Sequence, residues 1–71
     1  MPDSVYKVVE LVGSSPDSWE LAAKNAVETA AQTLRDLRVA EVKELDLQIE
    51  GGKVLAYRAK VTISFKYEGT G

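Results

Sequence analysis

The order of apolar and polar residues along the chain predicts one helix and three strands. Residues 5–12, 39–49 and 53–67 are rich in valine and other large apolar residues, and in the last segment apolar and polar residues alternate. Such alternation is typical of a strand with one buried face. Residues 16–36 instead carry apolar residues three and four positions apart, the spacing of an amphipathic helix. The pattern predicts an α+β fold with the element order βαββ.

The first predicted strand is apolar on both faces, because Val5, Val9 and Leu11 point to one side and Tyr6, Val8 and Val12 to the other. A single helix covers only one face of a strand. We therefore expect another subunit to cover the second face.

Two residues are candidates for the start of the helix. Ser15 before Pro16 fits an N-cap and first helical position, whereas Asp17 with Glu20 fits a capping box. The apolar stripe is rich in alanine, so we expect the helix to lie close to the sheet and to leave no roomy internal pocket. Its members are Trp19, Ala23, Ala26, Ala30, Leu34 and Leu37.

Two glycines, Gly51 and Gly52, mark the turn between the last two strands. A three-residue loop of residues 50–52, with Gly52 left-handed, pairs Ile49 with Lys53. That register predicts two ion pairs between strands on the face away from the helix, Glu44–Arg58 and Glu41–Lys60.

The strand before this turn changes phase along its length. Leu45 and Leu47 point inward near the turn, whereas Ala40 and Val42 point inward at the start. Because side chains alternate with a period of two, this change requires one extra residue. We predict a β-bulge near Lys43.

The composition points to self-association. A chain of 71 residues buries only about 60% of its unfolded surface. It has no cysteine and no histidine, which excludes disulfides and makes a structural zinc site unexpected. Small domains without these supports usually rely on partner subunits. We expect a single domain, spanning residues 1–71, that is stable as a homo-oligomer.

The charge pattern excludes several partners. The net charge is −2 with the signs interspersed, whereas a nucleic-acid-binding face needs a basic patch. Residues 1–4 form neither a basic leader nor an apolar segment, and no run approaches the roughly 20 apolar residues of a membrane span. These features predict a cytoplasmic protein without nucleic-acid or membrane partners.

Catalysis has little support in the sequence. Without histidine or cysteine, the chain lacks the usual nucleophile–base pair. Glu41 and Glu44 could act as an acid/base pair, but neutralisation of neighbouring cations is the simpler interpretation. We expect that the protein is not an enzyme.

Two further features allow two interpretations each. Trp19 could stack on an aromatic ligand, but in the first helical turn it more often fills the space between helix and sheet. Asp46, Gln48 and Glu50 could offer oxygen ligands to a hard cation. Alternate residues of a strand lie about 6.8 Å apart, which favours a solvated edge unless several copies meet there.

Three segments resemble those of the dodecin family: Val5–Ser15 (VYKVVELVGSS), Thr33–Val42 (TLRDLRVAEV) and Ala56–Phe65 (AYRAKVTISF). The similarity covers nearly the whole chain. It implies a three-stranded antiparallel sheet wrapped around one helix, and a hollow homododecamer.

The resemblance also implies where a ligand would bind. In flavin-binding dodecins a tryptophan early in the second strand stacks on the flavin ring, and a glutamine in the third strand hydrogen-bonds its polar edge. Val39 stands at the tryptophan position and Arg58 at the glutamine position, while Glu41 matches a glutamate of the family. Valine offers no aromatic face for stacking.

Two functions follow from this resemblance. One is small-ligand or ion binding and storage without the usual flavin sandwich. The alternative is a flavin (riboflavin or FMN) binding, storage and buffering protein with an altered pocket. The residues around Val39 and Arg58 also resemble a branch without the tryptophan in which calcium has been reported, so calcium is a further candidate; no metal ligands are assigned.

Overall fold

A computed structural model describes residues 5–66, which form one helix and three strands. They are β1 (Tyr6–Ser15), α1 (Trp19–Ala30), β2 (Leu37–Glu50) and β3 (Lys53–Lys66). The sheet is antiparallel with the order β1-β3-β2, and α1 packs on one of its faces. The predicted βαββ fold is confirmed. No helix in this range is long and apolar enough to cross a membrane.

The helix begins later than either predicted start. Its N-cap is Ser18, whose hydroxyl accepts a hydrogen bond from the Leu21 amide at 3.1 Å. Ser15 belongs to β1, and its hydroxyl accepts from the Asp17 amide at 3.0 Å within the turn. Both predictions for the N-cap were wrong, because Ser15 stabilises the strand–helix turn instead of the helix itself.

The helix also ends six residues before the predicted boundary at residue 36. Residues 31–33 form a turn, and Asp36 adopts a left-handed conformation with φ of 59°. Aspartate is one of the few residues besides glycine that tolerate this region. The early stop lets Leu34 and Leu37 turn back and pack against the core.

The hairpin turn contains two residues, not three. Gly51 and Gly52 both have positive φ, 59° and 76°, so Glu50 pairs with Lys53. Two left-handed residues are the signature of the tight turn that matches the twist of a hairpin. A further register shift between Gln48 and Ile49 then displaces β2 relative to β3 by one more residue. The predicted register was therefore wrong.

The bulge in β2 is confirmed. The register shifts between Val42 and Glu44, which leaves Lys43 as the extra residue. A second shift lies between Leu37 and Val39. The first shift lets β2 keep its apolar residues on the face toward α1 on both sides of Lys43.

The core is small and lies where α1 crosses β1 and β3. Its buried apolar residues are Ala22, Ala26, Ala30, Ala59, Val61 and Ile63. Of the predicted helical stripe, Ala26 and Ala30 are buried, and Ala22 replaces Ala23 as the third buried alanine. Gly13 allows the close approach, because a Cβ there would overlap the Ala22 carbonyl.

Candidate ligand-binding surface

The candidate surface is the outer face of the sheet, defined here as the face away from α1. Paired residues of neighbouring antiparallel strands point to the same side, so this face consists of rows across the three strands. In the order β1, β3, β2, these rows are Val8–Ser64–Val39, Glu10–Thr62–Glu41, Val12–Lys60–Glu44 and Ser14–Arg58–Asp46. The row that contains Val8 and Val39 is thus apolar at both edges of the sheet, and the rest of the face is acidic along β2.

The strongest contact on the outer face joins β2 to β3. Arg58 donates from Nε to Oδ1 of Asp46 at 2.8 Å and from Nη2 to Oδ2 at 2.7 Å. This is a bidentate pair, in which both carboxylate oxygens are used. The hydrogen bonds from Arg58 lower the pKa of Asp46, and the same bonds raise the pKa of Arg58. Both groups are therefore held in their charged forms.

The other side of the sheet holds Asp46 in place through its backbone. Trp19 donates from Nε1 to the Asp46 carbonyl at 3.0 Å, and its ring meets Tyr57 edge-on at a centroid distance of 5.1 Å. Trp19 thus fills space between helix and sheet in this subunit, in line with the structural interpretation of this residue. Its position ties the start of α1 to the strand that carries the Asp46 carboxylate.

Further charged contacts lie along the same face. Lys60 approaches Glu44 at 3.4 Å, and Lys43 approaches Glu41 at 3.9 Å. The predicted pairs Glu44–Arg58 and Glu41–Lys60 were wrong. The two-residue turn and the shift beyond Gln48 move each cation to a different partner.

The three residues assigned by resemblance do not meet within one subunit. Val39 and Glu41 are neighbours on the outer face, and the Ser64 hydroxyl donates to the Val39 carbonyl at 3.4 Å. Arg58 lies six positions along β3 from Ser64, a distance of about 20 Å in an extended strand. A site that uses both Val39 and Arg58 therefore needs two copies of the chain.

These residues do not fit the usual flavin sandwich. Val39 is 62% exposed but has no ring to stack on a flavin. Arg58 already donates two hydrogen bonds to Asp46, which occupies the group that would read the polar edge of the ring. Both replacements therefore act against flavin binding, one by loss of stacking and the other by loss of a free hydrogen-bonding group.

A cation has no ready-made site within the described subunit. In residues 5–66 no group of three or more acidic, histidine or cysteine residues is placed to hold a metal ion. Of the predicted acidic set, Asp46 is engaged by Arg58 and Glu50 lies opposite Lys53 at the turn. Oxygen ligands for a cation would have to come from more than one copy.

Asp46 was not predicted from the sequence as the partner of Arg58. The available signal was the Gly51-Gly52 dipeptide, which is typical of two-residue hairpin loops. Counting back from that turn without the shift between Gln48 and Ile49 pairs Asp46 with residue 57. Only the irregularity beyond Gln48 places Arg58 opposite Asp46.

The fold and this surface define a class of small βαββ subunits with a charged, uncovered sheet face. Comparison with known proteins gives the family. The family model described as Dodecin matches residues 5–68. The chain belongs to the dodecin family.

Individual relatives agree with this assignment. A protein named calcium dodecin from Mycobacterium tuberculosis is 46% identical over 63 residues, which cover 89% of each chain. The solved dodecin of Streptomyces coelicolor has a TM-score of 0.91 at 40% identity and covers 99% of this chain and 100% of its own.

A solved calcium dodecin from M. tuberculosis, described as calcium chelating with a novel calcium-binding site, has a TM-score of 0.83 at 45% identity. It covers 96% of this chain and 97% of its own.

Proposed function

We propose that this protein assembles into a homododecameric cage that binds and stores a small ligand or ion, without stacking flavin in the usual sandwich. The observation that carries the proposal is the outer face itself. Exposed Val39 stands where the resemblance puts the stacking tryptophan, and Asp46 holds Arg58 by two hydrogen bonds. The protein acts by binding and not by catalysis.

Assembly is supported by the shape of the subunit. Its radius of gyration is 14.8 Å and its extents are 55 × 20 × 15 Å. A compact chain of this length has a radius of gyration of about 11 Å. Large apolar side chains also stay exposed on the outer face of β1, among them Tyr6, Val8 and Val12. Contacts with other copies would cover these residues.

Calcium is the ion named for one relative, the calcium dodecin of M. tuberculosis. Calcium prefers carboxylate and carbonyl oxygens, which the outer face supplies in Glu10 and Glu41 of one row. Within residues 5–66, one subunit alone brings too few carboxylates together for a site. The proposed site is therefore shared between copies and depends on assembly.

Flavin storage with an altered pocket is the second candidate. The Arg58–Asp46 pair is about half exposed, with side-chain exposures of 46% and 52%. Solvent screens a pair at this exposure even though it is bidentate, so a flavin carbonyl competes with the Asp46 carboxylate for Arg58. The half-exposed position of the pair is the observation that supports flavin as the second candidate.

The assembled protein provides the tests. Native mass spectrometry should give about 92 kDa, twelve times the subunit mass of 7.7 kDa. A stable monomer would contradict the cage.

Titration with riboflavin and FMN should leave most flavin fluorescence unquenched. Strong quenching near one flavin per subunit would establish the second candidate instead.

Calorimetric titration with calcium, and with magnesium as the control, tests the ion. We expect calcium binding that weakens in Glu41→Gln and is unchanged in Glu28→Gln, which lies on the exposed side of the helix beside Lys24. Equal heats for both variants would remove Glu41 from the ion site.

A further inference from the structure

The carboxylates that β2 presents on the outer face each lie beside a cation of the same subunit. Three carboxylates of β2 belong to the rows of this face, and each forms an ion pair. These pairs are Asp46–Arg58 at 2.7 Å, Glu44–Lys60 at 3.4 Å and Glu41–Lys43 at 3.9 Å. An ion that approaches β2 therefore meets carboxylates whose charge is already balanced.

The Glu41–Lys43 pair differs from the other two in its position. The other pairs join β2 to β3, whereas Glu41 and Lys43 are two residues apart on β2 itself. Glu41 also shares a row with Glu10, the row that supplies oxygens to the proposed ion site. Lys43 is thus a cation in direct contact with a carboxylate of that site.

The β-bulge explains why a lysine lies there. The register shifts between Val42 and Glu44, so Lys43 has no residue of its own opposite it on β3. A bulge sets two residues against one and re-aims their side chains. The Lys43 ammonium lies toward the Glu41 carboxylate. The extra residue that keeps the apolar side chains of β2 inward therefore also places a positive charge beside Glu41.

The contact between Lys43 and Glu41 is loose enough to be exchanged. The two side chains are 48% and 67% exposed, and their charged atoms are 3.9 Å apart. Arg58 and Asp46, in contrast, share two hydrogen bonds of 2.8 and 2.7 Å. Exposed single-contact ion pairs contribute little free energy. The lysine can therefore leave Glu41 when a divalent ion offers the carboxylate twice the charge.

The displaced lysine still opposes the ion by its charge. A unit charge and a divalent ion about 6 Å apart in water repel each other enough to change an affinity about tenfold. Salt screens this repulsion, because the Debye length is about 10 Å at 0.1 M ionic strength. The effect of Lys43 on ion binding should therefore be large in dilute buffer and small in concentrated salt.

We propose that Lys43 is a built-in competitor for the ion site, and that its contact with Glu41 sets the calcium concentration at which the site fills. The inference rests on the proposed calcium binding at Glu41 and adds the residue that regulates it. The lysine neutralises Glu41 while the site is empty and yields the carboxylate when the site is filled. Glu41 is thus balanced by a cation in both states.

Removal of the Lys43 charge tests this inference. Calorimetric titration of the assembled protein with calcium compares the wild type with Lys43→Met, which keeps a long side chain without charge, and with Lys43→Arg, which keeps the charge. We expect Lys43→Met to bind calcium about three- to tenfold more tightly in dilute buffer, and Lys43→Arg to resemble the wild type. In about 0.5 M salt the gain should fall to less than about twofold.

Lys24→Met is the matched control. Lys24 forms a similar exposed pair with Glu28 at 4.0 Å, but on the helix and not on the outer face. Both variants change the net charge of the chain equally, so Lys24→Met should bind calcium as the wild type does. An equal gain in Lys24→Met would assign the effect to overall charge and overturn the inference. Native mass spectrometry checks that each variant is assembled, and Lys43→Gln takes the place of Lys43→Met if the latter is not.

The remaining outcomes separate this inference from the proposed function. Unchanged calcium affinity in Lys43→Met, while Glu41→Gln still weakens binding, overturns the inference and leaves the ion site in place. A gain that persists in full at high salt also overturns it, because the cause would not be charge. Calcium binding that appears only in Lys43→Met supports the inference. If neither the wild type nor Lys43→Met binds calcium, the proposed ion function fails, and the inference fails with it.

Discussion

Arg58 and Asp46 are joined by two parallel hydrogen bonds of 2.8 and 2.7 Å across the outer face of the sheet. The pair links adjacent strands of a long hairpin, and the Trp19 indole fixes the backbone of Asp46 from the opposite side. The same contact therefore bears on stability and on the chemistry that the outer face offers to a ligand.

The Arg58–Asp46 pair should make stability depend on pH. Since the pKa of Asp46 in the folded state is lowered below its ordinary value of 3.8, the stabilisation is complete at neutral pH. It is lost as the pH falls through that lowered value. We expect Asp46→Asn to lower the free energy of unfolding at about pH 7 and to have less effect as the medium becomes more acidic.

Denaturant unfolding at matched subunit concentration measures this effect. Asp46→Asn on an Arg58→Gln background is the control, because the pair is already broken there and the effect of the second change should vanish. An effect of Asp46→Asn that is equally large in acid would show that the pair is not its cause.

Restoring both ligand-reading residues should create flavin binding. The double variant Val39→Trp with Arg58→Gln supplies a stacking ring and removes the cation that Asp46 holds. We expect it to quench riboflavin fluorescence at about one flavin per subunit. Stacking contributes about 0.5–1.5 kcal/mol for each aromatic pair beyond the buried area.

Val39→Leu with Arg58→Gln is the matched control, since it keeps an apolar residue without a ring. We expect no quenching from this variant. If the tryptophan variant also fails to quench while remaining assembled, the pocket does not lie at these positions.

Gly13→Ala should destabilise the subunit. A Cβ at Gly13 would lie 2.9 Å from the Ala26 Cβ and would overlap the Ala22 carbonyl, so helix and strand would have to separate. Overpacking of this kind costs about 1–3 kcal/mol. Thermal unfolding should show the loss, and Ser14→Ala, which changes an exposed neighbour, should unfold close to the wild type.

Trp19→Phe should separate the hydrogen bond from the ring contact. Phenylalanine keeps a ring against Tyr57 but cannot donate to the Asp46 carbonyl. A hydrogen bond of this type contributes about 0.5–1.5 kcal/mol. Denaturant unfolding should therefore show a larger loss for Trp19→Phe than for Tyr57→Phe, which retains its ring; equal losses would assign the effect to packing.

The order and type of the elements could be predicted from the sequence because they follow from periodicity. Alternation fixed the inner face of β3, where Ala59, Val61 and Ile63 are buried as expected. The change of phase in β2 also located the bulge at Lys43. Such features depend on which side chains need burial, and the residue types carry that information directly.

The register and the helix ends depend on backbone conformation, which the residue types do not determine uniquely. Gly51 and Gly52 suit a two-residue or a three-residue turn, and one residue of difference changes every partner along the hairpin. The segment after Ala30 has no proline or glycine to end the helix, yet Asp36 takes a left-handed conformation there. The partner of Arg58 was missed because both the two-residue turn and the further register shift beyond Gln48 are needed to place it opposite Asp46.

The turn end of the β2–β3 hairpin, residues 47–56, extends beyond β1, so this part pairs with no other strand of the described residues. Backbone with so little tertiary support opens readily and is accessible to proteases. Neighbouring copies that cover the turn end of the hairpin would protect it. We therefore expect cells to degrade surplus single chains quickly and to retain complete shells, so that quality control of this protein acts on assembly.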